Sequence, residues 1–486
     1  MTDRRCRTER RRVGAPAKVL AVVTAPGGFV GRANARQAGW RKRPLRTVTA
    51  VFIAAATLAA ASGCTAACGK DLHARTTTGC DARASGTAQS LAGDWMLKLE
   101  PEPGFAVPFV LHLSTARNGD IGGAVDNPAA AEYGVPLRPI AVNGRAVSTT
   151  FGDLTLKGTV DGSDRISGSA SLRGIFSDVF AWVLGINTRF SFTMTRGDGA
   201  LPLRPQSASY DRDGHHIHYM EVAGSTAARI VFVHGSPGEW DNFGPFLVNA
   251  GLQRRATLVA MDRPGFGDSD PGRVVPDLRA QARLLEPLLR GNPATPAPPS
   301  HEAADPRRPI VPTILVGWSL GGPIAAEMAM DYPDEVQALV LIAPAIDPQN
   351  DGARWYNHAA SVWPIGRLTS WLLGPENLWS NEEMLPLGRQ LQAMLPRWRS
   401  LRMPVVVIQG GDDHLVSPRT ADFAEQMLPP GDRVIRLPHA GHVGGWAKAA
   451  LDTLDGLLDR IRPASAPAAQ RQQPAGSLPP AGIAAK

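Results

Sequence analysis

The chain has 486 residues, 43% of them hydrophobic, a length that suggests roughly three domains. Its formal charge of +7 is unevenly placed, because the first 46 residues hold thirteen Lys and Arg against only Asp3 and Glu9. The remainder is therefore net acidic, and because the basic excess is local and lacks interleaved aromatics, a nucleic-acid partner is set aside.

After the basic cluster Arg41-Lys42-Arg43-Pro44-Leu45-Arg46 comes an uncharged stretch from Thr47 to Ser62, then Gly63-Cys64. That is the layout of a secretory signal, with a positive region, a short apolar region and small residues before the cut. The apolar stretch falls short of the roughly 20 residues a transmembrane helix needs. Ala61-Ser62-Gly63-Cys64 resembles the lipobox of bacterial lipoproteins, with Ala61 standing where Leu is usual. The resemblance implies an exported protein of the cell envelope, anchored to the membrane through a lipid on Cys64; ordinary secretion or an uncleaved anchor is the alternative. Residues 1–64 are then extension and signal, and residues 65–90, rich in Thr, Ala, Gly and Ser, a flexible linker. Cys6 would leave with the signal and Cys64 would carry lipid. Cys68 and Cys80 would remain, as a small disulfide or as two free thiols. Their spacing fits no zinc or haem pattern.

From Leu91 the pattern alternates. Trp95, Leu97 and Leu99 share one face of an extended segment, as do Phe109, Leu111 and Leu113, and again Phe190, Phe192 and Met194. Asn118-Gly119, Asn143-Gly144 and Asp161-Gly162 mark the turns between them. Short strands with turn signals predict an antiparallel β-domain over residues 91–200. Gly93-Asp94-Trp95 at its start and Phe192-Thr193-Met194-Thr195-Arg196 at its end resemble the small lipocalin-like domain that precedes some bacterial hydrolase domains. We read it as a packing or spacer module and assign it no ligand.

A short Pro-containing linker, Leu201 to Ser207, leads into residues 208–462, where apolar runs alternate with helical stretches. The runs are Ile217–Val222, Ile230–Val233, Thr257–Met261, Thr313–Val316, Ala338–Ile342, Val405–Ile408 and Val434–Leu437. The later runs are continuous, as in parallel strands covered on both faces. Leu278–Leu289 and Pro323–Met330 supply crossovers. The prediction is a doubly wound α/β sheet with one or two antiparallel strands at its start. Residues 292–312 read as a surface loop. Residues 345–403, with clustered Trp and Leu, read as a small helical cap, and residues 463–486 as a disordered Ala/Pro/Gln-rich tail.

Gly317-Trp318-Ser319-Leu320-Gly321-Gly322 follows a buried run and opens a helix, the context that gives a G-x-S-x-G motif its meaning. Val405–Ile408 runs into Gly410-Gly411-Asp412-Asp413, and Val434–Leu437 into His439-Ala440-Gly441-His442. His234-Gly235-Ser236-Pro237-Gly238 and Asp262-Arg263-Pro264-Gly265-Phe266-Gly267-Asp268-Ser269 each follow an earlier run. Together these motifs resemble the α/β-hydrolase family over about residues 210–460, including the chain order Ser, Asp, His. The resemblance implies Ser319 as nucleophile, His442 as its base and Asp413 as the acid that orients the base. Gly410 followed by Asp413, Leu415 and Val416 fits the family spacing, which places Asp412 one position early. Asp347 is the rival acid, and His439 a surface or supporting histidine. The oxyanion donors implied are the backbone N–H groups of Leu320 and Ser236, since Pro237 has none. His234 is implied to shape its loop, and Asp262 and Arg263 are read as structural. Gly265 and Gly267 lack the lysine motif of a phosphate loop. The histidines at 215, 216 and 218 read as a chance or surface cluster, with no metal site assigned.

Ser at position 319 departs from the Asp nucleophile of related dehalogenases and epoxide hydrolases. Acyl chemistry follows, with a covalent acyl-enzyme and no cofactor. Carboxylic esters head the expectation, and the same apparatus serves lactones, amides and C–C bonds of diketones. His-Gly-Ser-Pro-Gly resembles the His-Gly-Gly-Pro-Gly of proline iminopeptidases. The competing readings are a cofactor-free haloperoxidase or perhydrolase and an inactive binding protein on a hydrolase fold. The cap tryptophans predict an apolar ceiling over the pocket, suited to medium-chain or aromatic acyl groups.

Overall fold

The computed structural model describes residues 91–172, 187–197, 202–291, 311–362, 365–366, 370 and 374–461. The expected signal, Cys64, the Cys68/Cys80 pair, most of the 292–312 loop and the tail lie outside the described residues, as do Trp363 and Trp371.

Eight antiparallel strands form the first domain: β1 (Gly93–Glu102), β2 (Phe105–Thr115), β3 (Ile121–Asn127), β4 (Glu132–Asn143), β5 (Ala146–Phe151), β6 (Leu154–Val160), β7 (Arg165–Leu172) and β8 (Arg189–Arg196). Each pairs with the next, and β1 pairs with β8 through Trp95↔Arg196 to Glu100↔Ser191, which closes a barrel. Closure removes the unpaired edges that an open sheet would present. The alternation seen in the sequence is the inward set: Trp95, Leu97, Leu99, Phe109, Leu111, Phe192 and Met194 are all buried. Small eight-stranded barrels are filled by their own side chains, and here a void of about 20 Å³ remains among residues including Leu111, Ile166 and Phe192. That is room for about one water at most.

The second domain is an eight-stranded sheet. β9 (Gln206–Arg212) and β10 (His215–Val222) form an antiparallel hairpin, and β10 runs antiparallel to β12 (Thr257–Met261). β11 (Arg229–Val233), β12, β13 (Thr313–Trp318), β14 (Ala338–Ile342), β15 (Val405–Gly410) and β16 (Arg433–Leu437) are parallel. The order is β16-β15-β14-β13-β11-β12-β10-β9. Gln206 and Ser207, read from the sequence as linker, already belong to β9. Alternate residues of the central strands feed two cores. Ile230, Phe232, Val316 and Ile342 face one, and Val231, Val233, Leu315 and Leu341 the other. The first of these is continuous with the barrel interior. Contact between the domains is close enough to demand glycine at Gly244, where a Cβ would stand 1.8 Å from the Ala129 carbonyl oxygen.

Helices α1 (Leu278–Leu285), α2 (Gly321–Asp331), α3 (Trp355–Ala360), α4 (Glu376–Met394), α5 (Thr420–Met427) and α6 (Ala447–Arg460) complete the domain. The expected cap is present as α3 and α4, between β14 and β15. Two of its tryptophans do not form a ceiling. Trp398 is fully buried in the sheet-facing core, edge-on to Phe423 at 6.2 Å, and Trp355 is 80% exposed. Trp379 packs edge-on against Phe266 at 6.3 Å. An apolar run separates into these roles only once the helix has a neighbour on one side.

Candidate active site

β13 ends at Trp318 and α2 begins at Gly321, so the chain reverses at Ser319, whose φ of +55° lies in the left-handed region. A non-glycine residue there is costly and persists only where its surroundings hold it. The Ser319 N–H donates to the Ile342 carbonyl at 3.0 Å, fastening the turn to β14. Small neighbours are obligatory: a Cβ at Gly317 would stand 2.4 Å from the Gly321 carbonyl oxygen, and one at Gly321 2.2 Å from that of Val233. The turn thereby projects the serine hydroxyl beyond the sheet's carboxyl edge.

Two further strands end on the same edge and bring their loops to it. His442 Nε2 lies 3.0 Å from Ser319 Oγ, and His442 Nδ1 lies 2.8 Å from Asp413 Oδ2. His442 and Asp413 are both buried. The remaining Asp413 oxygen accepts from the backbone N–H groups of Leu415 and Val416, each at 2.9 Å, which fixes the carboxylate. With a carboxylate at Nδ1 that nitrogen carries the proton, leaving the Nε2 lone pair to accept from the serine hydroxyl. The His442 carbonyl in turn accepts from the indole N–H groups of Trp318 and Trp446, each at 3.1 Å.

The other acids and histidines are elsewhere engaged. Asp412 is exposed, and its oxygen lies 3.8 Å from Nδ1 of His439, which is itself exposed. Asp347 accepts from the Gln349 N–H and the Asn350 side chain within its own loop. Neighbouring Asp351 accepts from the Asp347 N–H and the Thr420 hydroxyl, and burial pushes its carboxyl pKa up to about 6.

Over Ser319 runs the loop after β11. A Cβ on Gly235 would stand 2.9 Å from Ser319 Cβ, so the backbone there passes directly beside the serine. His234 is buried, donates from Nδ1 to the Gly235 carbonyl at 2.7 Å and accepts from the Arg263 N–H at Nε2 at 2.9 Å. Burial, with the Arg263 charge, holds its pKa well below the ordinary value, so it is a neutral strut of the loop. Leu320, next after the serine, opens α2.

One residue of this site gave no signal in the sequence. Glu383 of α4 is buried; its carboxylate accepts from the Ser236 hydroxyl at 2.5 Å, from Arg263 Nη1 at 2.6 Å and from Gln281 Nε2 at 2.8 Å. Arg263 Nη2 also donates to the Gly235 carbonyl at 2.8 Å. The cap is thus tied to the loop beside Ser319 by a buried ion pair, and Asp262 and Arg263 are structural here, as expected.

His218 differs from its reading as a surface histidine. It is buried, with Nδ1 2.7 Å from Asp262 Oδ2 and Nε2 2.9 Å from the Ser207 hydroxyl. Burial opposes its protonation, but the hydrogen bond and charge of Asp262 outweigh it and raise the pKa. His218, Asp262 and Asp268 have ligand-type atoms within 4.8 Å of one another. Both imidazole nitrogens already have partners, however, and Asp262 also accepts from the Trp240 and Asp268 N–H groups. The cluster locks the turn after β12.

A mostly parallel sheet, a serine on a strained strand-to-helix turn and a histidine–aspartate pair at the same edge define an α/β-fold hydrolase. Residues 230–451 match the model of the alpha/beta hydrolase family, and the chain belongs to that family. It is 30% identical over 229 residues to a pimeloyl-[acyl-carrier protein] methyl ester esterase of Aromatoleum aromaticum, covering 39% of this chain and 91% of that protein. It is 27% identical over 266 residues to the dihydrolipoyllysine-residue acetyltransferase component of the acetoin cleaving system of Cupriavidus necator, covering 49% of this chain and 65% of that one. With the mouse sn-1-specific diacylglycerol lipase ABHD11 it shares 30% identity over 172 residues, 35% of this chain and 47% of the lipase. The chain therefore spans less than two thirds of the acetyltransferase component and of the lipase.

Proposed function

We propose that the protein is a serine esterase that cleaves a carboxylic ester through an acyl-enzyme on Ser319. The observation that carries this reading is the continuous hydrogen-bonded series Ser319 Oγ, His442, Asp413, at 3.0 and 2.8 Å. Ser319 Oγ attacks the ester carbonyl carbon while His442 Nε2 takes its proton. Asp413 keeps the imidazole in the useful tautomer and stabilises the imidazolium. The carbonyl oxygen becomes an oxyanion facing the N–H groups of Leu320 and Ser236; loss of one such donor typically costs about 10²–10³ in rate. Collapse of the tetrahedral intermediate breaks the ester C–O bond, and the departing alkoxide takes the proton from His442. Water then repeats the sequence on the acyl-enzyme and releases the acid. Ester substrates are favoured because the names of two relatives describe enzymes acting on a methyl ester and on a diacylglycerol.

The test is hydrolysis of p-nitrophenyl esters from acetate to laurate by the wild type and by Ser319→Ala. We expect turnover by the wild type and a loss of about 10⁴-fold or more in the variant, the scale on which nucleophile removal acts. Wild-type turnover retained by the variant would refute the assignment of Ser319.

A further inference from the structure

The barrel makes a three-bond polar contact with the segment that follows His442. β1 ends at Glu102, and Pro103-Gly104 turn the chain into β2, with Gly104 at a φ of +78°. The tip of this hairpin lies against α6, where a Cβ on Gly104 would stand 2.8 Å from Lys448 Cε. Glu102 Oε1 accepts from the Gly445 N–H at 2.7 Å and the Ala447 N–H at 3.1 Å, and Oε2 from the Lys448 N–H at 3.1 Å. α6 has Trp446 at its N-cap, with no side-chain cap bond and no acid in its own first turn. A helix start leaves N–H groups unpaired and favours negative charge. Here both needs are met from another domain, 343 residues back along the chain.

Only Val443 and Gly444 separate His442 from the first of these N–H groups. The intervening turn is tight, with the Gly441 N–H donating to the Gly444 carbonyl at 3.0 Å. A second line of contact reaches the same place. Phe105, also on the hairpin, lies 5.2 Å from Phe246, and Phe246 stacks on Trp446 at 6.3 Å. Trp446 donates to the His442 carbonyl and lies 6.0 Å from Trp318, the residue before the nucleophile.

We propose that the barrel acts as a brace for the catalytic base, with Glu102 as a positioning residue that sets His442 by capping α6 across the domain boundary. This rests on the serine-hydrolase reading and assigns the first domain a part in that chemistry. The carboxylate holds the start of α6, the start of α6 fixes Trp446 and the 441–445 turn, and these set the His442 backbone relative to Ser319. A displacement on the order of 1 Å at a catalytic group can cost about a hundredfold in rate.

The experiment follows inactivation of the full chain by a fluorophosphonate probe, which reports the attack of Ser319 without knowledge of the substrate. The probe's binding constant KI and maximal rate kinact are measured for wild type, Glu102→Gln and Glu102→Ala, with thermal melts alongside. Glu102→Ala is expected to lower kinact about tenfold with KI within about twofold, at a temperature where the variant is fully folded. Glu102→Gln, which keeps one acceptor oxygen but turns an amide NH₂ toward N–H donors, is expected to fall about threefold. A merely structural role would lower the melting temperature and leave kinact of the folded protein unchanged, and that result overturns the brace. If the alanine variant does not fold, the glutamine variant decides, and a wild-type kinact in it overturns the proposal. A wild type that the probe does not label refutes the serine-hydrolase reading instead, so the two failures are distinguishable.

Discussion

At the scale of single residues, Asp351 carries a consequence for stability. Its carboxyl is buried beside Asp347, and burial raises its pKa from the ordinary 3.8 to about 6. A group more easily protonated in the folded state favours folding fully below its unfolded pKa, and that contribution is lost as pH rises through the folded value. Between about pH 4 and pH 6 the wild type should therefore lose on the order of 3 kcal/mol of stability from this group alone. Asp351→Asn removes the titration, so its melting temperature relative to wild type should climb across that window and level off above it. Thermal melts at several pH values check this, and a pH-independent difference would contradict it. That Ser319, Asp413 and His442 would meet was legible in the sequence because each sits at a fixed offset from a strand end and a glycine. His218 and Glu383 were not. Their partners Asp262 and Arg263 lie 44 and 120 residues away, and only the fold brings the charges together.

At the scale of elements, α4 is held by Glu383 to the loop beside Ser319. The Glu383–Arg263 pair is almost fully buried on both sides. Removing one partner of a buried pair leaves an uncompensated charge and typically costs about 3–5 kcal/mol. Glu383→Ala should therefore unfold at clearly lower denaturant than wild type, while Glu382→Ala, one residue away and exposed, should shift it far less. Equal midpoints for the two would show that the tie contributes little. The strands of the barrel were legible where inward residues alternate strictly, as at Trp95, Leu97 and Leu99. β4 was not, because its twelve residues include Pro136 and Pro139 and bury only Leu137 fully. Closure between β1 and β8 was equally invisible, since a strand pairing across 100 residues leaves no local pattern. The cap was expected from its position between two sheet strands, but aromatic clustering could not say which tryptophans would turn inward.

At the scale of the whole molecule, two domains share one apolar core, and the barrel's first hairpin supplies the cap of the helix that follows His442. The division into a β-domain and an α/β domain could be read from the change of hydrophobic period near Ser207. Their mutual dependence could not, because it rests on Gly244 against Ala129 and Glu102 against α6, contacts between distant segments. Among the described residues, the void lined by Leu111, Ile166 and Phe192 holds about 20 Å³.

In the proposed function, Ser319 is an activated nucleophile driven by His442. This is tested most directly by labelling with a fluorophosphonate and mapping the adduct by peptide mass spectrometry, with His442→Ala in parallel. We expect one adduct in the wild type, on the peptide containing Ser319, and a loss of labelling by orders of magnitude in the variant. An adduct on another residue, or equal labelling of both proteins, would contradict it.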